Sequence, residues 1–118
     1  MYPQTYACDL DQLLYAYKFH RDFFNSLDLP GCYILTNLAN GLCYVGKSQE
    51  MASRVRRHCF PAGCRDVTSD ILKGHSFHVD LIFYNDVLWD SLSAMESYFI
   101  KLYDSYDKGY NRTKGDWQ

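Results

Sequence analysis

Apolar residues recur at helical spacing in the first quarter of the chain. The stripe that they form consists of Leu10, Leu13, Leu14, Tyr17, Phe24 and Leu27. Asp9 precedes it, and Gln12 three positions later completes a capping box, which is typical of a helix start. Pro30 and Gly31 then interrupt the helical pattern. The pattern therefore predicts one amphipathic helix over residues 9–27, with its apolar stripe packed against the rest of the chain.

Short apolar runs of strand type follow this helix. Residues 32–35 and 42–45 flank Asn40-Gly41, and these two residues are expected to supply the positive φ angles of a tight hairpin turn. Residues 75–83 alternate between apolar and polar side chains, which is typical of a half-buried strand. The pattern predicts three strands, the first two of which form a hairpin.

Two more helices are expected. Residues 49–59 form a short basic segment, and Asp90 or Ser91 can cap a helix that runs to about residue 104. The expected apolar face of this last helix consists of Leu92, Met95, Tyr98, Phe99, Leu102 and Tyr103. Residues 108–115 are polar and punctuated by glycine, which indicates a loop.

The predicted fold class is α+β, with a small three-stranded, mainly antiparallel sheet flanked by helices and an extra N-terminal helix. At 118 residues the chain has room for one core. We expect residues 1–30 to form a helical extension packed on a domain of residues 31–118.

Charge is unevenly distributed along the chain. The net charge of −2 does not by itself indicate a nucleic-acid-binding protein. However, residues 47–73 contain six basic and three acidic side chains, whereas residues 79–100 contain four acidic and no basic ones. The first segment predicts a basic face able to contact phosphates, although a merely solvated helix surface is the alternative.

Cysteine use favours a reducing compartment. Five cysteines without a CxxC pair argue against a secreted disulfide framework. Cys59 and Cys64, with His58 and His75 nearby, leave open an alternative zinc or redox role. No apolar run approaches the roughly 20 residues of a membrane span. We expect a cytoplasmic protein that does not bind membranes.

A set of short motifs changes this general description. In chain order they are Gly31-Cys32-Tyr33, Tyr44-Val45-Gly46, Arg54, His58, Glu96 and Gly109-Tyr110-Asn111. Arg54 and His58 lie one helical turn apart, on one helix face. Together these residues resemble the GIY-YIG nuclease domain over residues 31–115, with Cys32 and Val45 in the place of the middle isoleucines.

The resemblance implies a metal-dependent DNA endonuclease. Glu96 would bind one Mg²⁺ or Mn²⁺, because such cations accept a single carboxylate together with waters and a phosphate oxygen. Arg54 would hold the scissile phosphate in bidentate fashion. Asn111 would tie the C-terminal loop to the site and hold Glu96 or a metal-bound water in place.

Following the resemblance, Tyr33 would be the general base and Tyr44 its positioning partner. A free tyrosine has a pKa of about 10, so either phenol needs nearby cations to ionise at neutral pH. Lys47, Arg54 and the metal are the candidates. His58 is expected to form a hydrogen bond with Tyr44 or with the phosphate.

The remaining expected DNA contacts are Gly46, Lys47, Ser48, Arg56 and Arg57. The alternative function is a catalytically silent module on the same fold that binds nucleic acid or protein. A homodimer or a partner protein could supply sequence specificity. Small proteins with this domain alone resemble those of phages and mobile elements.

Overall fold

The computed structural model describes residues 4–60 and 64–113. In chain order the elements are β1 (Thr5–Asp9), α1 (Leu10–Phe19), α2 (Arg21–Ser26), β2 (Gly31–Asn37), β3 (Cys43–Ser48), α3 (Met51–Arg57), α4 (Arg65–Leu72), β4 (Phe77–Phe83) and α5 (Leu92–Leu102). None of the described helices is long and apolar enough to cross a membrane.

The predicted antiparallel sheet flanked by helices is confirmed. It has four strands rather than three, in the order β1-β4-β2-β3, and every neighbouring pair is antiparallel. The additional strand, β1, pairs with β4 from Thr5 opposite Ile82 to Asp9 opposite His78. Periodicity did not reveal β1 because it is a five-residue edge strand in which only Cys8 is buried.

The expected N-terminal helix is two helices. His20 adopts a non-helical conformation, with φ −137° and ψ 61°, and separates α1 from α2. The predicted start is confirmed, because the backbone N–H of Asp9 donates to Gln12 Oε1 at 2.9 Å. Leu13 and Phe24 are both buried, so the apolar stripe was identified correctly and only the continuity of the helix was wrong.

The β2–β3 hairpin forms as predicted, but its turn differs. Gly41 has a positive φ of 76°, whereas Asn40 does not. Among the described residues other than glycine, only Asp104 has a positive φ. Asn40 stabilises the turn through its side chain instead, because its Oδ1 accepts the N–H of Leu42 at 2.9 Å. Asn37 Oδ1 accepts the N–H of Ala39 in the same way.

Helix α4 was not predicted, because only Val67 and Thr68 of its eight residues are buried. Helix α5 starts as expected, since Ser91 Oγ accepts the N–H of Ala94 at 3.0 Å. The prediction of the apolar face of α5 was partly wrong. Of the six residues expected there, Met95 and Phe99 are buried, whereas Tyr98 and Leu102 are exposed.

Buried side chains form a cluster on each face of the sheet. One cluster includes Leu13, Tyr33, Val55 and Leu81 and lies under the N-terminal helices and α3. The other consists of Cys32, Ile34, Val45, Ile82, Met95, Phe99 and Ile100 and lies under α5. Strand β3 lies at the edge of the sheet, and both α3 and α5 contact it.

Candidate active site

The hairpin places two tyrosines side by side. Tyr33 of β2 lies opposite Gly46 of β3 in the strand register. A Cβ atom at Gly46 would overlap the ring and hydroxyl of Tyr33, so only glycine lets this ring lie across β3. The ring of Tyr44 is 6.2 Å away, measured between centroids. The sequence motif thus encodes a steric fit between its tyrosine and its glycine.

His58, at the C-terminal end of α3, supports Tyr33. Its Nε2 lies 3.0 Å from Tyr33 Oη, and its Nδ1 accepts the backbone N–H of Cys64 at 2.9 Å. Since Nδ1 is an acceptor, a neutral ring carries its proton on Nε2 and donates it to Tyr33. Burial, reinforced by the charge of Arg54, lowers the pKa of His58 to about 4. His58 is therefore a neutral donor near pH 7.

This contact differs from the one expected for His58. The sequence suggested a hydrogen bond to Tyr44 or to a phosphate, whereas the histidine is 1% exposed and is hydrogen-bonded to Tyr33. Tyr44 instead forms a T-shaped ring contact with His58, with centroids 5.1 Å apart. The imidazole thus has a positioning contact with both tyrosines.

Arg54 of α3 supplies positive charge to the tyrosine pair. Burial raises the pKa of both Tyr33 and Tyr44, and it outweighs the lowering effect of the Arg54 charge. Arg54 also lowers the pKa of Tyr33 through hydrogen bonding. Both phenols are consequently protonated at neutral pH in the free protein.

The two hydroxyl groups differ in their remaining hydrogen-bonding capacity. Tyr33 Oη accepts from His58, interacts with the donor group of Arg54 and, by hydrogen bonding, lowers the pKa of Tyr44. A phenol has one proton and two lone pairs, so these contacts occupy the Tyr33 hydroxyl. Tyr44, by contrast, is only half-buried and lines the cleft.

Glu96 and Lys47 approach the tyrosines from the other layer. The half-buried Glu96 lies on α5, and its charge contributes to the raised pKa of Tyr33 and Tyr44. Lys47 Nζ donates to Ser93 Oγ at 2.6 Å. Ser93 precedes Glu96 by one helical turn, so the ammonium group lies along the same face of α5 as the carboxylate.

A surface cleft of about 310 Å³ joins several predicted site residues. Its lining consists of Tyr44, Cys64, Arg65, Glu96, Ile100, Tyr110, Asn111, Arg112 and Thr113. Tyr33 and His58 are buried behind Tyr44. A larger groove of about 640 Å³ also borders α5, and its lining contains none of the predicted site residues.

Asn111 attaches the C-terminal loop to the outer edge of β3. Its Oδ1 accepts the N–H of Val45, and its Nδ2 donates to the carbonyl of Val45, both at 2.8 Å. The amide thus forms the hydrogen bonds to Val45 that a neighbouring strand would otherwise supply at this edge of the sheet. A Cβ atom at Gly109 would overlap the carbonyl of Cys43, to which Tyr110 donates its N–H at 2.9 Å. The loop can approach β3 this closely because residue 109 is glycine.

The other expected DNA contacts are dispersed. Gly46 and Lys47 lie at the site, but Ser48 Oγ accepts the backbone N–H of Glu50 at 2.9 Å beside the start of α3. Arg56 stacks on Tyr17 at 3.8 Å from the ring centroid, away from Arg54. Arg57 is exposed. The structure brings together the tyrosines, Arg54, His58, Glu96 and Lys47, but not Arg56 and Arg57.

The donor set fits one kind of metal ion. Within residues 4–60 and 64–113, no group of three or more His, Cys, Asp or Glu side chains is arranged to hold a metal. In the alternative zinc site, His58 Nδ1 is already engaged by the backbone of Cys64. A single carboxylate, Glu96, at a solvent-accessible cleft fits Mg²⁺ or Mn²⁺, whose other ligands can be waters and phosphate oxygens.

A buried polar network beneath the cleft was not predicted. Asn37, at the end of β2, is 0% exposed, and its Nδ2 lies 2.8 Å from His75 Nδ1 and 2.9 Å from Tyr110 Oη. Tyr110 in turn donates to Asp70 Oδ2 at 2.5 Å. The network joins β2, α4 and the loop that carries Asn111. The one feature of the sequence that could have indicated this network is Asn37, a polar residue at the end of an apolar strand.

Comparison with known proteins agrees with this geometry. The family model described as the GIY-YIG catalytic domain matches residues 29–111. The match covers more than two thirds of the chain and includes every site residue from Tyr33 to Asn111. Neither the curated proteins nor the solved structures contain a match.

Proposed function

Because the chain belongs to the GIY-YIG catalytic domain family, we propose that it is a DNA endonuclease that hydrolyses phosphodiester bonds with one divalent cation. The family is a nuclease superfamily, and a nuclease domain has DNA as its substrate. The observation that carries the proposal is that Tyr44 and Glu96 line one cleft, while Tyr33, Arg54 and His58 surround Tyr44 from behind.

Glu96 is the proposed ligand of Mg²⁺ or Mn²⁺. When bound, such a cation supplies positive charge to the phosphate oxygens and lowers the pKa of a coordinated water. Asn111 lines the same cleft, but both polar atoms of its amide are hydrogen-bonded to the backbone of Val45. We therefore propose that it holds β3 and the loop in place and does not bind the cation.

Tyr44 is the proposed tyrosine that contacts the attacking water. This reverses the roles expected from the sequence, in which Tyr33 was the base. The Tyr33 side chain is buried and its hydroxyl is hydrogen-bonded to His58, whereas Tyr44 lines the cleft. Burial raises the pKa of Tyr44, and the charge of Arg54 and hydrogen bonding with Tyr33 partly offset that rise. His58 and Tyr33 then act as positioning residues, because they fix the direction of the Tyr44 hydroxyl.

Arg54 and Lys47 are the proposed sources of permanent positive charge. Arg54 acts electrostatically on both tyrosines, so its guanidinium can stabilise a phenolate and the negative charge that accumulates on the phosphate during cleavage. Lys47 lies along α5 near Glu96, where an ammonium can contact a phosphate oxygen. These two residues come from α3 and β3, so the hairpin and its following helix hold most of the site.

Cleavage of supercoiled plasmid tests the proposal. The proteins to compare are wild type, Glu96→Gln and Glu50→Gln, each with Mg²⁺, with Mn²⁺ and with a chelator. Glu50 is the matched control, because it is the only other glutamate and is exposed. We expect nicking or linearisation by wild type and Glu50→Gln with metal, and a rate about 10³-fold lower for Glu96→Gln.

Two outcomes would overturn the proposal. Cleavage by Glu96→Gln at the wild-type rate would remove the glutamate from the reaction. Intact plasmid with wild-type protein and either cation would favour the silent binding module.

A further inference from the structure

A second arginine–tyrosine cluster lies away from the cleft. The guanidinium carbons of Arg21 and Arg56 each lie 3.8 Å from the centroid of the Tyr17 ring. Two guanidinium groups cannot share one face of a ring at that distance, so they occupy opposite faces. Tyr17 is therefore sandwiched between two positive charges that come from different parts of the chain, α2 and α3.

Both guanidinium groups are held in place, and neither forms an ion pair with a carboxylate in the described part of the chain. Arg21 Nε donates to the carbonyl of Tyr17 at 2.6 Å, and Arg56 lies 5.4 Å from the ring centroid of Phe60 as well. The ion pairs formed between described residues involve other cations, among them Lys73 with Asp70 and Lys108 with Asp104. The two like charges on either side of one ring repel one another, and phosphates that bind to them relieve the repulsion.

The cluster lies across α3 from Arg54. Val55 is 0% exposed and defines the inward face of this short helix. At 100° per residue, Arg54 and Arg56 project from its two flanks, and the exposed Arg57 lies on the outward side between them. The three arginines therefore form a positively charged path over the helix, from Arg54 beside the two tyrosines of the hairpin to Tyr17.

The length of this path matches a short stretch of DNA. A helix with its side chains is about 10–12 Å across, so the charges on the two flanks are separated by roughly that distance. One DNA strand advances about 3.4 Å per nucleotide along the axis. The Tyr17 cluster thus lies about three or four nucleotides from a phosphate held at Arg54.

We propose that Arg21 and Arg56, held on the two faces of Tyr17, bind backbone phosphates of the substrate DNA three or four nucleotides from the scissile phosphate. This rests on the proposed nuclease function, which places the scissile phosphate at Arg54. Stacking on Tyr17 orders both side chains before DNA arrives, so less conformational entropy is lost on binding. Contacts of this kind hold the backbone in position and do not read base sequence.

Fluorescence anisotropy of labelled duplex DNA, measured in chelator over a range of salt concentrations, tests this without requiring cleavage. The test variant is Arg21→Met/Arg56→Met, in which methionine can still pack on Tyr17. The control is Lys73→Met/Lys108→Met, which removes the same charge from two exposed lysines paired with aspartates. We expect the salt slope of log affinity to fall by about 2 in the test variant and affinity at 0.1 M salt to fall about 10- to 100-fold.

Outcomes for this site and for catalysis are separable. An unchanged salt slope in the double variant would overturn the DNA contact, even if the protein cleaves plasmid. A reduced slope in a protein that never cleaves DNA would support the contact and overturn the nuclease. If the double variant is thermally destabilised, the single variant Arg21→Met at the exposed arginine is the test instead. Its salt slope of log affinity should fall by about 1.

Discussion

The two flanks of α3 each carry an arginine next to a tyrosine, but the two contacts have different geometry. Arg54 acts on the hydroxyl end of Tyr33, whose side chain is 1% exposed. Arg56 lies over the ring face of Tyr17, which is half-buried and shared with the exposed Arg21. One contact is directed at a titratable atom and the other at a π surface.

This difference teaches which arginine can take part in chemistry. A charge beside buried hydroxyls is weakly screened, so Arg54 changes the pKa of Tyr33, Tyr44 and His58. A charge on the surface is screened by salt and attracts phosphates without altering a reacting group. The proposed catalytic role therefore belongs to the flank of α3 that carries Arg54, and the proposed phosphate-binding role belongs to the flank that carries Arg56.

The largest expected effect comes from comparing Arg54→Met with Arg56→Met. Loss of Arg54 should lower kcat about 10³-fold, because the charge nearest the tyrosines and the phosphate disappears. Loss of Arg56 should raise KM several-fold and leave kcat unchanged. Steady-state kinetics on a labelled duplex measures both, and equal losses of kcat would contradict the division between the flanks.

The pH dependence of stability sharpens the inner contact. The pKa of His58 falls from 6.5 in the unfolded chain to about 4 in the folded protein, so the unfolded state binds more protons between these values. Stability from this group is complete above pH 6.5 and is lost as the pH falls towards 4, by on the order of 3 kcal/mol. Thermal unfolding from pH 7 to 4 measures this loss.

His58→Gln is the control for the pH effect. Its amide can still donate to Tyr33 but does not titrate, so its unfolding temperature should fall less between pH 7 and 4. Parallel curves for the two proteins would show that His58 is not the group responsible.

Substituting each tyrosine of the hairpin by phenylalanine distinguishes the tyrosine that contacts the attacking water from the one that only positions it. Tyr44→Phe should lower kcat about 10²-fold with little effect on folding, because Tyr44 lines the cleft and is only half-buried. Tyr33→Phe should also cost about 1–3 kcal/mol of stability, because the buried N–H of His58 loses its acceptor. The opposite pattern, with stability lost in Tyr44→Phe, would restore Tyr33 as the base.

The smallest expected effect concerns the loop that borders the cleft. Asn111→Ala removes two hydrogen bonds to Val45 and should cost about 2 kcal/mol in the free energy of unfolding. Asn111→Asp is the informative companion, because it keeps the acceptor for the N–H of Val45 and loses the donor. Denaturant unfolding should place it between alanine and wild type.

Most of the sheet was predictable from the chain, because a hairpin and an alternating strand are local patterns. The β2–β3 hairpin, β4, α3 and the start of α5 follow from turn residues, alternation and caps within a few positions. Strand β1 and helix α4 were missed because they are short and largely exposed, and their positions depend on neighbours far along the chain.

The candidate site divides in the same way. The resemblance to the GIY-YIG domain identified the two tyrosines, Arg54, His58 and Glu96 as a set, and the family match covers all of them. The sequence could not show which tyrosine lines the cleft, because the exposure of each tyrosine depends on how closely the α3 layer and the C-terminal loop pack around it. It also could not show that Arg56 stacks on Tyr17, a contact between residues 39 positions apart.

The sequence by itself determined the family, the antiparallel hairpin and the residue types available for chemistry, because motif spacing and local periodicity are written directly in the chain. The tertiary structure decided the tautomer of His58, which tyrosine of the hairpin lines the cleft and the different contacts of Arg54 and Arg56. The physical reason is that burial and hydrogen-bond partners set these properties, and both arise only when distant segments pack together.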